Sequence, residues 1–123
     1  MAEPGSEGRK RGRLSRSGDF DRAFRDGRSK ANRHLVLYAF PRAESDTGEI
    51  RLGISVGRKV GGATVRSRVK RVIREAFWEL GDRLPTRHDF VVVARTGAAE
   101  LVEREGMPGI RDSLSGLLEE HVA

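Results

Sequence analysis

The sequence predicts an α+β or α/β sandwich in which a four-stranded sheet is packed by three helices. Three observations carry that prediction. Segments with helical and strand periodicity alternate in the order helix, strands, helix, strand, helix, which folds most simply as one sheet covered by helices. A length of 123 residues is that of a single domain. With 37% hydrophobic and 34% charged residues the core exists but is small.

Residues 1–12 contain Pro4, Gly5, Ser6, Gly8 and Gly12 and no periodic apolar residue. Such a segment buries too little surface to offset its ordering entropy, so a disordered basic arm is expected, followed by one domain over 13–123. Ser17 or Asp19 is placed to cap a short helix through about Asp26, with Phe20, Ala23 and Phe24 on one face and Gly27 at its end. Residues 29–33 are expected as an edge strand. Residues 35–40 are aliphatic and aromatic and stop at Pro41, the pattern of a strand. A polar turn over 42–49, with Asp46 and Gly48, leads to Ile50, Leu52, Ile54 and Val56 alternating with Arg51, Gly53 and Ser55. The two segments are expected to pair as a hairpin.

Gly57, Gly61 and Gly62 precede the strongest helix signal, about 63–80. There Val65, Val69, Val72, Ile73 and Ala76 fall within an arc of about 80–100°. Residues 89–94 are nearly continuously apolar, as in a strand buried on both faces. After the breaker pair Pro108 and Gly109, the spacing of Ile110, Leu114, Leu117 and Leu118 predicts a C-terminal helix.

Charge separates the function classes. The formal net charge is +6, yet residues 58–74 alone carry seven basic residues and no acid, while residues 75–123 carry five basic and ten acidic ones. A polyanion is the natural partner of such a stretch. Within it Arg66, Arg68, Lys70, Arg71 and Arg74 are five cations in nine residues. Arg66, Lys70 and Arg74 form an i, i+4, i+8 row that destabilises an isolated helix by roughly 0.2–0.5 kcal/mol per pair. A merely solvated face would mix signs, so nucleic-acid binding is the better reading. The absence of cysteine excludes disulfides, thiolate metal sites and a cysteine nucleophile. His34, His88 and His121 are too far apart in sequence for a metal motif. No catalytic triad pattern or acidic metal cluster accompanies the basic region, so no catalytic and no metal-binding residues are expected. The longest apolar runs fall far short of the roughly 18 residues of a membrane span, and no signal-like segment opens the chain. The expected location is the cytoplasm.

Phe20, Phe24 and Tyr38 have two readings. Aromatics at helical spacing pack cores, but Phe20 and Phe24 are interleaved with Arg16, Arg22, Arg25 and Arg28, the arrangement that stacks unpaired bases beside cations. Composition leaves the choice open, as it does the role of Trp78.

The run from Gly53 through Phe77 resembles the protein subunit of bacterial ribonuclease P. Its hallmark helix, an Arg-Asn-Arg core followed by Lys-Arg and Arg-Glu, is matched by Arg66-Ser67-Arg68, Lys70-Arg71 and Arg74-Glu75. Arg13-Leu14, Asp19-Phe20, Ala23-Phe24, Gly27, Ala31-Asn32-Arg33, Leu35 to Tyr38 and Asp89 to Arg95 extend the similarity over most of the chain. Ser67 and Gly62 each stand where the family usually has Asn, and Met107-Pro108-Gly109 resembles a small insertion.

This resemblance implies the sandwich of ribosomal protein S5 domain 2, with a left-handed βαβ crossover through the basic helix, against the usual right-handed preference. It also implies an accessory role beside a catalytic RNA that cuts precursor tRNA at the 5′ end of the mature sequence, using Mg²⁺ held mainly by the RNA. Lys59, Arg66, Ser67, Arg68, Lys70, Arg71 and Arg74 would contact the catalytic RNA. Phe20, Phe24 and Tyr38, with Asn32 and Arg33, would form a cleft for the single-stranded 5′ leader. A general RNA-binding or ribosome-associated module would share the charge stripe, and the helix motif separates the two. An autonomous metal-dependent nuclease would need carboxylates beside the basic patch, and none lies between residues 50 and 74.

Overall fold

The computed structural model describes residues 10–122. Among them, β1 (Arg11–Arg13), β2 (Arg28–Ala31), β3 (Leu35–Pro41), β4 (Ile50–Val56) and β5 (His88–Ala94) form one mixed sheet in the order β1-β4-β5-β3-β2. Three helices accompany it: α1 (Ser17–Asp26), α2 (Ala63–Trp78) and α3 (Ala98–Val122). The architecture is α+β, but the sheet has five strands where four are expected. The additional strand is β1, which runs parallel to β4 with Arg11 opposite Ile50 and Arg13 opposite Leu52. It has no apolar side chain, so periodicity gives no sign of it. Backbone bonds hold it, Ile50 N–H donating to Lys10 O at 2.8 Å and Leu14 N–H to Leu52 O at 3.0 Å. Arg11 and Gly12, assigned by sequence to the arm, thus lie in the sheet, and residues 1–9 fall outside the described residues.

The expected hairpin does not form. β5 lies between β3 and β4, antiparallel to the first and parallel to the second. The reason is burial: Phe90, Val91 and Val92 are all fully buried, so their successive side chains need cover on both faces, which only a central strand receives. The connection from β4 to β5 is therefore a parallel crossover through α2.

On one face Leu35, Leu37, Ile50, Leu52, Phe90 and Val92 pack against α2 and α3. Val69, Val72, Ile73, Ala76 and Phe77 form the buried stripe of α2, whereas Val65, expected within it, is exposed. On the other face α1 covers part of the sheet, burying Ala23 with Leu14 and Val91. Neither Ser17 nor Asp19 caps α1. Arg16 occupies the N-cap position without a side-chain cap bond, and Asp19 lies inside the first turn, where its charge complements the helix dipole. Gly27 follows the last residue of α1 as expected, its N–H bonded to Ala23 O at 2.9 Å.

The C-terminal helix begins earlier than expected and is interrupted at Gly106 (φ 66°, ψ −153°), ahead of Pro108 and Gly109. A left-handed φ there suits glycine. Pro108 is tolerated because it stands in the first turn after the break, where its missing N–H has no partner to lose. Among the described residues, no helix is long and apolar enough to cross a membrane.

Candidate nucleic-acid interface

The register of the sheet fixes what faces α1. Arg51, Asp89 and Phe40 stand side by side across β4, β5 and β3, followed by Gly53, Val91 and Tyr38, then Ser55, Val93 and Val36. Helix α1 lies over the first two rows. Phe20 rests on Gly53, where a Cβ would come within 2.6 Å of the ring, so only glycine admits the aromatic this close to the strand. Phe24 meets Phe20 at 6.2 Å and the Tyr38 ring at 5.0 Å, edge to face. Phe24 is 42% exposed, and Phe20 and Tyr38 are half-buried. The aromatics thus form the wall of a trough whose floor continues along the half-buried Ser55 and Val93. Its far end is a cavity of about 460 Å³ lined by Ser55, Arg58, Lys59, Val93 and Arg95 among others.

Asp89 anchors α1 over the trough. Its side chain is 1% exposed and accepts hydrogen bonds from three arginines distant in sequence: Arg42 at 2.6 Å, Arg51 at 2.7 and 2.8 Å, and Arg22 of α1 at 3.2 Å. Hydrogen bonding to Asp89 raises the Arg51 guanidinium above its ordinary pKa despite partial burial. Arg22 also lies over the Phe40 ring, 4.9 Å from its centroid. Arg42 adds bonds to the carbonyls of Thr47 and Glu49 at 2.9 and 2.5 Å, fastening the β3–β4 connection across the end of β5. Sequence reasoning missed this cluster, because no local pattern links residues 22, 42, 51 and 89.

Helix α2 presents the second surface. Its apolar stripe is sealed in the core, leaving Ser67, Arg68, Lys70, Arg71 and Arg74 exposed and Arg66 half-buried. Among the described residues none of the five cations of α2 has an ion pair or side-chain hydrogen bond, and the buried Arg66 Nε has no partner. Several other arginines are engaged, as Arg104 is with Glu100 at 3.1 Å. Ser67 and Lys70 line a small cavity with Arg66, Ala63 and Val56.

Three sequence-predicted site residues stand elsewhere. Lys59, grouped by sequence with the helix cations, lines the end of the trough beside Arg58. Asn32 Nδ2 donates to Ser113 Oγ at 2.7 Å, and its Oδ1 accepts from the backbone N–H groups of His34 and Leu35, both at 2.9 Å. That side chain shapes the β2–β3 turn and ties it to α3; only the backbone carbonyl oxygen of Asn32 meets a trough residue, accepting from Arg95 Nη1 at 2.9 Å. Arg33 lines a separate hollow with His34, Gly97, Glu100 and Arg104. The structure therefore gathers Phe20, Phe24 and Tyr38 and sets the Asn32 and Arg33 side chains apart from them. Arg58 and Arg95 join the trough without having been singled out, although Arg58 opens the basic stretch. Among the described residues no three His, Asp or Glu side chains are grouped to hold a metal ion.

The sequence and fold of this chain are shared with known proteins. The family model for ribonuclease P matches residues 9–120. A ribonuclease P protein component from Bacillus pumilus is 42% identical over 97 residues, covering 79% of this chain and 80% of the relative. One from Bacillus cereus is 39% identical over the same share of this chain and 83% of its own. Among solved structures, the ribonuclease P protein of Staphylococcus aureus superposes with a TM-score of 0.76 at 33% identity, covering 89% of this chain and 94% of that one. The Thermotoga maritima protein gives 0.76 at 34% identity, with 88% and 96% covered. Sequence, fold and helix motif agree: this chain belongs to the ribonuclease P protein family.

Proposed function

We infer that this chain works as the RNA-binding subunit of ribonuclease P, the endonuclease that removes the 5′ leader from precursor tRNA in the cytoplasm. The observation that carries this reading is the presence, on one small domain, of an exposed aromatic trough and a helix whose five cations lack partners among the described residues. Two ligands of different kind are accommodated. A structured RNA offers its phosphates to Arg66, Arg68, Lys70, Arg71 and Arg74, with Ser67 between them, and the charge repulsion along α2 is offset when they bind. A single-stranded leader offers unpaired bases to Phe20, Phe24 and Tyr38, where stacking is worth roughly 1–3 kcal/mol per base. Lys59, with Arg58 and Arg95, continues the same trough and suits the leader's phosphates. The parallel β4–α2–β5 unit is, in this reading, the left-handed crossover of the ribosomal protein S5 domain 2 sandwich.

Cutting belongs to the RNA partner and the Mg²⁺ it holds, and the chain alone is inactive. Its residues act by differential binding. Holding the leader favours precursor over mature tRNA, and neutralising RNA phosphates lowers the cation concentration the assembly needs. The test compares the affinity of the reconstituted ribonucleoprotein for precursor and for mature tRNA. Phe24→Ala is expected to weaken precursor binding about tenfold, within the stacking range, and to leave mature tRNA within twofold. Equal losses for both would remove the leader from the trough.

A further inference from the structure

A second cavity, of about 450 Å³, lies on the other side of Phe20, between β1, β4 and α2. Its size is that of a small-molecule site. β1 pairs with β4 only as far as Leu52, and Leu52 and Ile54 form an apolar floor. Arg11 and Arg13 of β1 stand on one side and Lys70 and Arg74 of α2 on the other. The latter two are one helical turn apart, about 6 Å along the axis. Trp78 closes the end, packed edge-on against the buried Phe77 at 4.9 Å, with the Arg11 guanidinium 5.0 Å from its ring centroid. Among the described residues no carboxylate lines the cavity. Four cations around an apolar, aromatic-ended hollow complement a ligand with a flat base and a phosphate on each side of it.

We propose that this cavity receives one unpaired nucleotide of the RNA partner, with its base against Trp78, Arg11 and Ile54 and its flanking phosphates between Lys70, Arg74 and Arg13. The ligand belongs to a longer chain because the cavity adjoins, at Lys70, the smaller one lined by Arg66 and Ser67, so further phosphates meet further donors along the same helix. It is unpaired because a base within a duplex has no free face to offer. This inference rests on the reading of α2 as an RNA-binding helix and adds a base-recognising subsite to it.

Trp78 is the only tryptophan, so its fluorescence reports on the site directly. The full chain carrying Phe24→Ala and Tyr38→Ala, which removes two of the three stacking rings of the trough, is titrated with a uridine hexanucleotide and with an abasic hexanucleotide of equal phosphate number. The expected results are quenching of Trp78 by the uridine oligomer and binding about tenfold tighter than that of the abasic one. Adding Trp78→Leu, which keeps an apolar contact for Phe77, should shrink the preference to about twofold, read by anisotropy of labelled oligomers. Lys70→Gln with Arg74→Gln, which leaves Trp78 in place, should abolish quenching at concentrations that saturate the parent, so the test does not depend on one variant folding. Equal binding of the two oligomers, or a full preference retained by Trp78→Leu, would overturn the subsite while leaving the basic helix intact. Binding of neither oligomer would overturn both. Uridine monophosphate binding as tightly as the hexamer would replace the RNA chain by a free nucleotide.

Discussion

Asp89 sits where a single side chain decides the geometry of a surface it does not reach. A carboxylate that is 1% exposed is sustained by three guanidinium groups, and those groups come from α1, the end of β3 and β4. Replacing it with Ala would leave Arg42, whose side chain is 3% exposed, with only the exposed Asp46 carboxylate, 3.4 Å from its Nε, as a charged partner, and breaking a buried pair in this way typically costs about 3–5 kcal/mol. Asp89→Ala is therefore expected to lower the denaturant midpoint sharply, whereas Arg104→Ala, which breaks an exposed pair, should shift stability by less than about 1 kcal/mol. A similar small shift for both would mean that Asp89 is not the anchor of α1. In the sequence Asp89 is only the first residue of an apolar strand. The arginines that meet it are separated from it by 38 to 67 positions, beyond the reach of any periodicity argument. Phe20 and Phe24, by contrast, were legible as a pair because their spacing is local; whether they face core or solvent was not, since that depends on how far α1 spreads over the sheet.

At the scale of elements, α2 was the most legible part of the chain, because an apolar stripe and a cation row with a 3.6-residue period reinforce each other. Its charge has a measurable consequence. Neutralising Arg66, Arg68 and Arg71 to Gln should reduce the salt slope of binding to a bacterial ribonuclease P RNA by about 2–3, at roughly 0.7–0.9 per phosphate contact. An unchanged slope would place that contact elsewhere. Gly53 carries the corresponding prediction for β4. Gly53→Ala places a methyl within contact of the Phe20 ring and Leu14, and should lower the preference for precursor over mature tRNA severalfold while leaving the salt slope untouched. Strand pairing was less legible than strand existence. Residues 35–40 and 50–56 were recognisable as strands, but their nearness in sequence favours a hairpin, and only the two-sided burial of Phe90 to Val92 shows why β5 intervenes. β1 and the first half of α3 escaped for opposite reasons: one is held by backbone alone, and the other is separated from the recognised half by Gly106.

For the whole molecule, the charge map and the fold describe a divided domain. One face of the sheet is closed by α2 and α3 into a core; the other, half covered by α1, stays open as a trough, while the outer surface of α2 carries cations without partners among the described residues. The proposed function uses both surfaces, bringing two ligands together on one domain. Sequence alone reached that division through the basic stretch and the family resemblance, but it placed Lys59, Asn32 and Arg33 by motif position. The structure redistributes them, with Lys59 in the trough and Asn32 in a turn. The most direct test of the central claim is cleavage of precursor tRNA by a bacterial ribonuclease P RNA at low Mg²⁺, with the chain, without it, and with the chain alone. The account predicts cleavage that depends on the RNA and is strongly stimulated by the chain, and none from the chain by itself. Cleavage by the chain alone, or no stimulation of the RNA, would contradict it.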